Sequence, residues 1–298
     1  NFPNFLFPFI SSDFKRKIRA TTEFGLQYNY QLRPEFLRTM ASANWSYKWT
    51  QRQKIQHRID LINIAFLYLP RISERFKEDY INKGQNHIFQ YNYQDRLIIN
   101  MGYSYNYNSV GGSIINNTIA SNSYSIRFNF ESAGNIMYAL SKATNIRKNS
   151  NGEYAILGIP YAQYLKGEFD FAKNIRIDHR NSFAFHAGVG IAVPYGNAKT
   201  IIDNTMVSDG FGGANSVRGW AVRDLGPGSF AGNGNLLDQS GDIKLDASIE
   251  YRSKLFWKFQ GAAFIDAGNI WTIRSYANQP GGVFKFDKFY KQIAVAHG

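Results

Sequence analysis

Arg218 lies in a glycine-flanked run, Gly213-Ala214-Asn215-Ser216-Val217-Arg218-Gly219-Trp220, and two carboxylates follow it at Glu250 and Asp266. The chemistry such a set can do is ion pairing. A guanidinium removed from water needs a carboxylate, best engaged by a bidentate fork. Glycines let the backbone turn sharply and pack closely, and Val217 and Trp220 are apolar anchors that would carry Arg218 inward. Asp266 sits in the alternating segment Phe264-Ile265-Asp266-Ala267-Gly268. At the level of residues two readings stand: a buried latch of Arg218 with Asp266 and Glu250, or a turn at Asp266-Ala267-Gly268-Asn269 with Arg218 in water.

Other chemistry is sparse. The five histidines (57, 87, 179, 186 and 297) lack metal-ligand spacing. His186 falls on the polar side of its strand and reads as a wall residue. Gly232-Asn233-Gly234 opens no helix, so it does not suit phosphate, and no Gly-x-Ser-x-Gly elbow is present. There is no cysteine, which excludes disulfides, thiolate catalysis and cysteine-held metal. These features predict neither an enzyme, nor a metal site, nor a cofactor. The net charge is +12, but basic residues form no long run; the densest group is Lys15-Arg16-Lys17. That distribution argues against nucleic acid and suits a basic lumen and rim facing anionic lipid headgroups.

The elements that must position these residues are strands. Period-two alternation dominates the chain. Phe24, Leu26, Tyr28, Tyr30 and Leu32 share a face against Glu23, Gln27 and Gln31. Residues 39–50 follow after the turn at Pro34. A looser pattern covers 54–69, and 70–90 reads as a long loop. Clean alternation returns at 96–108, 123–131, 163–172, 182–194 and 242–252, then at 257–271, and a last strand begins at 289–298. In the strand 242–252, Glu250 falls on the polar face. No convincing helical period is present. The prediction is an all-β chain of about ten strands longer than the usual soluble mode.

Aromatics make up 16% of the chain (19 Tyr, 24 Phe), yet mean hydropathy is −0.36. Alternation reconciles the two, with one face apolar and the other wet. No run of 18 apolar residues is available for a transmembrane helix. Tyr, Trp and Phe near strand ends fit interfacial girdles, and Gly, Ser, Asn and charges opposite them fit a water-filled lumen. A soluble β-sandwich is the competing architecture. Residues 1–298 read as part of one antiparallel transmembrane β-barrel domain, an interior piece of a longer protein. The glycine-rich stretch 195–241 reads as a long functional loop.

Three motifs together resemble the BamA/TamA-type outer-membrane assembly factors. They are Val217-Arg218-Gly219-Trp220 at a loop tip, Ser248-Ile249-Glu250-Tyr251 on the next strand, and Phe264-x-Asp266-x-Gly268 on the one after. Trp220 stands where Phe or Tyr is commoner. The context Phe211–Trp220 with Leu225-Gly226-Pro227-Gly228, and the opening Phe2–Pro8, look most like the TamA-like lipoprotein (TamL) branch of Bacteroidota. The resemblance implies a sixteen-stranded barrel in the bacterial outer membrane, with POTRA domains upstream and the first and last strands outside this chain. It also implies that loop 195–241 inserts into the lumen and that Arg218 pairs with Asp266 and Glu250. The implied role is insertion or translocation of other envelope proteins. Its partners would be nascent outer-membrane or surface proteins as clients, a TamB-like or Bam-type periplasmic protein, and outer-membrane lipid. The alternative is a passive outer-membrane channel or receptor barrel that uses a basic lumen as a filter.

Overall fold

The computed structural model describes residues 2–3, 13, 19–34, 36–76, 78, 95–110, 122–150, 152–197, 217–221, 224–232, 239–277 and 279–298. Alternating β-branched and aromatic residues produce long strands, as a half-buried pleated surface favours. The strands are β1 (Phe2–Pro3), β2 (Arg19–Leu32), β3 (Phe36–Gln51), β4 (Ile55–Ile72), β5 (Arg96–Asn108), β6 (Ser123–Ala133), β7 (Ala155–Ile156), β8 (Ile159–Pro160), β9 (Tyr164–Arg176), β10 (Asn181–Pro194), β11 (Ile243–Lys254), β12 (Gln260–Trp271) and β13 (Ala294–His297). Eleven of them form one sheet in the order β1-β2-β3-β4-β5-β6-β9-β10-β11-β12-β13, while β7 and β8 make a separate hairpin. Every pairing is antiparallel. β1 and β13 lie at opposite edges and do not pair with each other, so the sheet is a partial barrel.

The two faces differ in chemistry. On the outer face Phe24, Leu26, Tyr28, Tyr30 and Leu32 of β2 stand exposed, Leu26 at 89%. Phe128 and Phe130 of β6, Val189 and Ile191 of β10, and Ile249 of β11 continue this apolar surface. No helix among the described residues is long and apolar enough to cross a membrane. The strands have the length and the outward apolar rows that a barrel wall requires.

The inner face carries polar side chains in register. One row runs Asp170 (β9), Gly188 (β10), Asp246 (β11), Gly268 (β12), Ala294 (β13). Short turns 52–54, 177–180 and 255–259 lie at one end, together with the longer connection 109–122. The connections 134–163, 195–242 and 272–293 leave from the other.

Several expectations change. The looser alternation over 54–69 belongs to β4, which has register shifts against β3 and β5 near Asp60 to Asn63. An irregular register moves following side chains to the opposite face. Residues 255–259, partly assigned above to a strand, make the turn before β12. The final strand is short, because Phe289–Gln292 forms a 3-10 turn before β13. A helix that periodicity did not reveal, α1 (Asn135–Ala143), follows Gly134 at φ 70°. Its span of under three turns leaves too few apolar repeats to register as a stripe. The 70–90 loop lies mostly outside the described residues.

Candidate functional site

β12 runs unbroken from Gln260 to Trp271, so Asp266-Ala267-Gly268-Asn269 is strand and not turn. Parity then puts Phe264, Asp266 and Gly268 on the inner face, and the β11 register places Glu250 opposite Phe264 and Ser248 opposite Asp266. Asp266 is fully buried and lies ~17 Å along β12 from its outer end at Trp271.

The structure brings Arg218, Asp266 and Glu250 together. Arg218 Nε donates to Asp266 Oδ2 and Nη2 donates to Oδ1, each at 2.7 Å. The backbone N–H of Arg218 adds a third bond to Asp266 Oδ2 at 3.0 Å. Nη1 donates to Glu250 Oε2, and the other oxygen of Glu250 accepts from Arg252 Nε. The guanidinium carbon sits 3.6 Å from the centroid of the Phe264 ring, where the ring quadrupole attracts a cation. One cation is therefore met by two carboxylates and an aromatic face. Such geometry offsets the desolvation of a partly buried charge. It is an anchoring arrangement.

Apolar packing holds the backbone that presents Arg218. Val217 is completely buried and packs with Leu225, Ile270 and Ala296, with Trp220 and Ala294 partly buried against them. Trp220 N–H bonds back to Val217 O at 3.4 Å. A Cβ at Gly219 would stand 2.8 Å from Ala296 Cβ, so glycine is what lets the tip lie this close to β13. Leu225–Gly228 fastens the returning chain to the outer end of β12. Gly228 N–H donates to Ile270 O at 2.7 Å, and Asn269 Nδ2 donates to Gly228 O at 2.9 Å. Residues 195–197, 217–221, 224–232 and 239–241 are the described parts of the 195–241 loop; Gly210, Gly212, Gly213 and Gly234 lie outside them.

At the root of this loop Asp242 lies outside the strand, at the outer rim. Its Oδ2 accepts from Ile273 N–H at 2.7 Å and its carbonyl accepts from Ala192 N–H at 2.8 Å. Burial pushes its carboxyl up to about 6.

A second set of charges, unmarked by any motif, lies on the same wall. His186 Nδ1 is 3.1 Å from Asp246 Oδ2 and Nε2 is 3.4 Å from Asp170 Oδ1. Lys244 Nζ is 3.2 Å from Asp246 Oδ1. Gly188 makes the room, since a Cβ there would be 2.8 Å from Asp246 Oδ1 and 3.2 Å from Asp170 Oδ1. The signal available in the sequence was register: once β9, β10 and β11 are aligned, Asp170 and Asp246 flank Gly188 directly. Further along the wall Tyr164 Oη donates to Glu131, which also accepts from Asn100 Nδ2 at 2.6 Å. No cluster of three or more metal-type ligands occurs among the described residues.

The fold has a known counterpart. The chain is similar to the crystal structure of BamA from Haemophilus ducreyi lacking POTRA domains 1-3, with a TM-score of 0.60 at 15% identity. The match covers 98% of this chain and 53% of that one, so the chain spans about half the length of its structural counterpart. At that identity the likeness establishes the fold. No curated protein matches the sequence. Residues 10–295 match the Omp85 superfamily domain. The chain belongs to the Omp85 superfamily, a family of outer-membrane β-barrels.

Proposed function

We propose that this barrel inserts or translocates other proteins of the bacterial envelope, and that the Arg218 segment braces its inner wall. The observation that carries this reading is the bidentate Arg218–Asp266 pair with Glu250 as second acceptor, formed by a loop tip against β11 and β12. A barrel whose wall must open elsewhere to admit a client gains from a region that stays closed. Removing one partner of a buried pair leaves an uncompensated charge. The brace is therefore strong where it stands and leaves distant strands free to move.

In this reading the protein is not an enzyme. Its clients are nascent outer-membrane or surface proteins, and it works with a TamB-like or Bam-type periplasmic partner. The motif context favours the TamA-like lipoprotein branch, with outer-membrane lipid around the barrel. A channel with a single-sign filter fits less well, because one hollow on the inner face combines Arg58 and Lys166 with Asp60, Glu131 and Glu168.

The test is Arg218→Ala and, separately, Asp266→Ala in the full-length gene. Each is expected to lower the level of assembled client barrels and the temperature at which the protein loses heat-modifiable migration. Unchanged client levels and unchanged migration in both variants would overturn the brace.

A further inference from the structure

Along the middle of the inner face, cations sit beside carboxylates. Lys48 lies 2.6 Å from Glu23 and Arg58 2.7 Å from Asp60. Lys166 lies 3.6 Å from Glu168 and Lys244 3.2 Å from Asp246. Arg127 of β6 departs from this pattern. By parity it shares the inner face with Asn129 and Glu131, opposite Phe128 and Phe130, and it is exposed. The register sets it in one row with Gln56, Asn106 and Asp170. Asp170 turns to His186 instead, at 3.4 Å. Among the described residues Arg127 enters no salt bridge.

Arg127 lines a hollow of about 600 Å³ that begins beside the 52–54 turn, where Lys54 also lines it. A second hollow shares Arg127 and Asp170 with the first, and a third shares Asn129 and Glu168 with the second. The three make one groove on the inner wall. It runs from the row of Ser125 to the row of Glu131 on β6, ~20 Å by strand rise. The amides of Gln56, Asn106 and Asn129 line it. Each can donate and accept, and among the described residues none of the three side chains is engaged in a hydrogen bond. The aromatic residues at its border give it no ring. Tyr103 and Tyr107 send their side chains to the opposite face, where they meet His57 and Tyr124.

We propose that this groove binds an extended polypeptide segment of small polar residues with one acidic side chain, and that Arg127 is the residue that selects the acid. The shape argues for a chain: ~20 Å holds about six extended residues. The amides suit a peptide backbone, which offers a donor and an acceptor at each residue. A planar guanidinium engages a carboxylate through two parallel hydrogen bonds. The lining argues against the other anions. A glycan site stacks sugar rings on aromatic faces, and this groove presents none. A phosphate dianion would meet Asp170 and Glu168 beside Arg127, whereas a single carboxylate adds half that charge. The inference rests on the envelope-client reading and deepens it by giving the chemistry of a client segment.

The experiment is fluorescence anisotropy of the full-length protein in detergent with a labelled peptide of Ser and Asn that carries one central Glu. The same peptide with Gln at that place is the comparison. The Glu peptide is expected to bind about tenfold more tightly than the Gln peptide, a preference that salt weakens. Arg127→Gln should abolish the preference and leave the weaker binding of the Gln peptide unchanged. Arg127→Lys should keep part of it, since the charge stays and the fork is lost. Asn106→Ala should weaken both peptides alike. Equal binding of the two peptides, or a preference that survives Arg127→Gln, would overturn the proposal. Displacement of the Glu peptide by inorganic phosphate at equal concentration would make the groove an anion site only. An oligogalacturonate that binds as tightly would transfer it to acidic glycans. Heat-modifiable migration shows that each variant is folded. Client levels in Arg218→Ala test the envelope-client reading without using the groove, so the two failures are told apart.

Discussion

Two ion clusters share the inner face of β9–β12, and they differ in what carries their members: strands alone in one, a loop and the wall in the other. The His186 cluster is built within the sheet. Asp170, His186 and Asp246 come from three adjacent strands, and sheet register suffices to assemble them. The Arg218 cluster joins a loop to the wall. Its cation comes from a loop, its carboxylates from the wall, and Arg218 and Asp266 are 48 residues apart. β11 contributes to both, through Asp246 and Glu250. The difference teaches that similar charge chemistry serves two ends. The first cluster stitches strands that are already hydrogen-bonded. The second holds residues 217–221, which pair with no strand among the described residues, so its loss leaves them to their apolar packing alone.

The largest effect should come from the buried end of the loop cluster. Asp266→Ala leaves the guanidinium with Glu250 as its one remaining carboxylate and removes the acceptor of the Arg218 backbone N–H. We expect a loss of about 3–5 kcal/mol, read as a lower midpoint of heat-modifiable migration. An effect no larger than that of a wall variant would erase the distinction between the clusters.

Glu250→Gln should rank next, at about 2 kcal/mol, because the Asp266 fork and the Phe264 ring still hold Arg218. Thermal unfolding in detergent measures it. If it exceeds Asp266→Ala, the fork is not the main anchor.

The loop root should respond to acid. The carboxyl of Asp242 is raised from 3.8 to about 6 by burial. The folded state therefore holds this proton more tightly than the unfolded chain does. Its contribution to stability is complete below about 4 and is lost as pH rises through about 6. Lowering pH from about 7 to about 5 should raise the free energy of unfolding by on the order of 1 kcal/mol, although protonation weakens the acceptor of the Ile273 amide. Asp242→Asn, which keeps an acceptor for that amide, should flatten the response. An equal pH response in both proteins would remove Asp242 from the account.

The smallest effect is expected within the sheet. His186→Leu should cost under about 1 kcal/mol, because the strand ladders remain and Lys244 still faces Asp246. A loss matching that of Asp266→Ala would show that the wall cluster is as essential as the loop cluster.

Much of the fold was legible because alternation has one physical cause, a wall with unlike sides. Asn100 to Asn108 and Ser123 to Glu131 face as parity predicts. Legibility failed where the period breaks: at the β4 register shifts, at the 255–259 turn, and at α1. For the site, the residue types around Arg218 marked candidates but did not choose between latch and turn. The unbroken course of β12 makes that choice, and it depends on β11 and β13 pairing on both sides. The Phe264 ring beneath the guanidinium, the fit of Gly219 against Ala296 and the space left by Gly188 are consequences of register and approach. A single chain of letters does not display them.

The most direct test of the central claim is a double-mutant cycle on Arg218 and Asp266, with thermal unfolding of the full-length protein as readout. Arg218→Ala, Asp266→Ala and the double variant would be compared with the unaltered protein. If Arg218 is anchored by Asp266, the double variant should be little worse than either single one, with a coupling of about 1–3 kcal/mol. Effects that add to within about 0.5 kcal/mol would show that the two side chains act independently, and would contradict the latch.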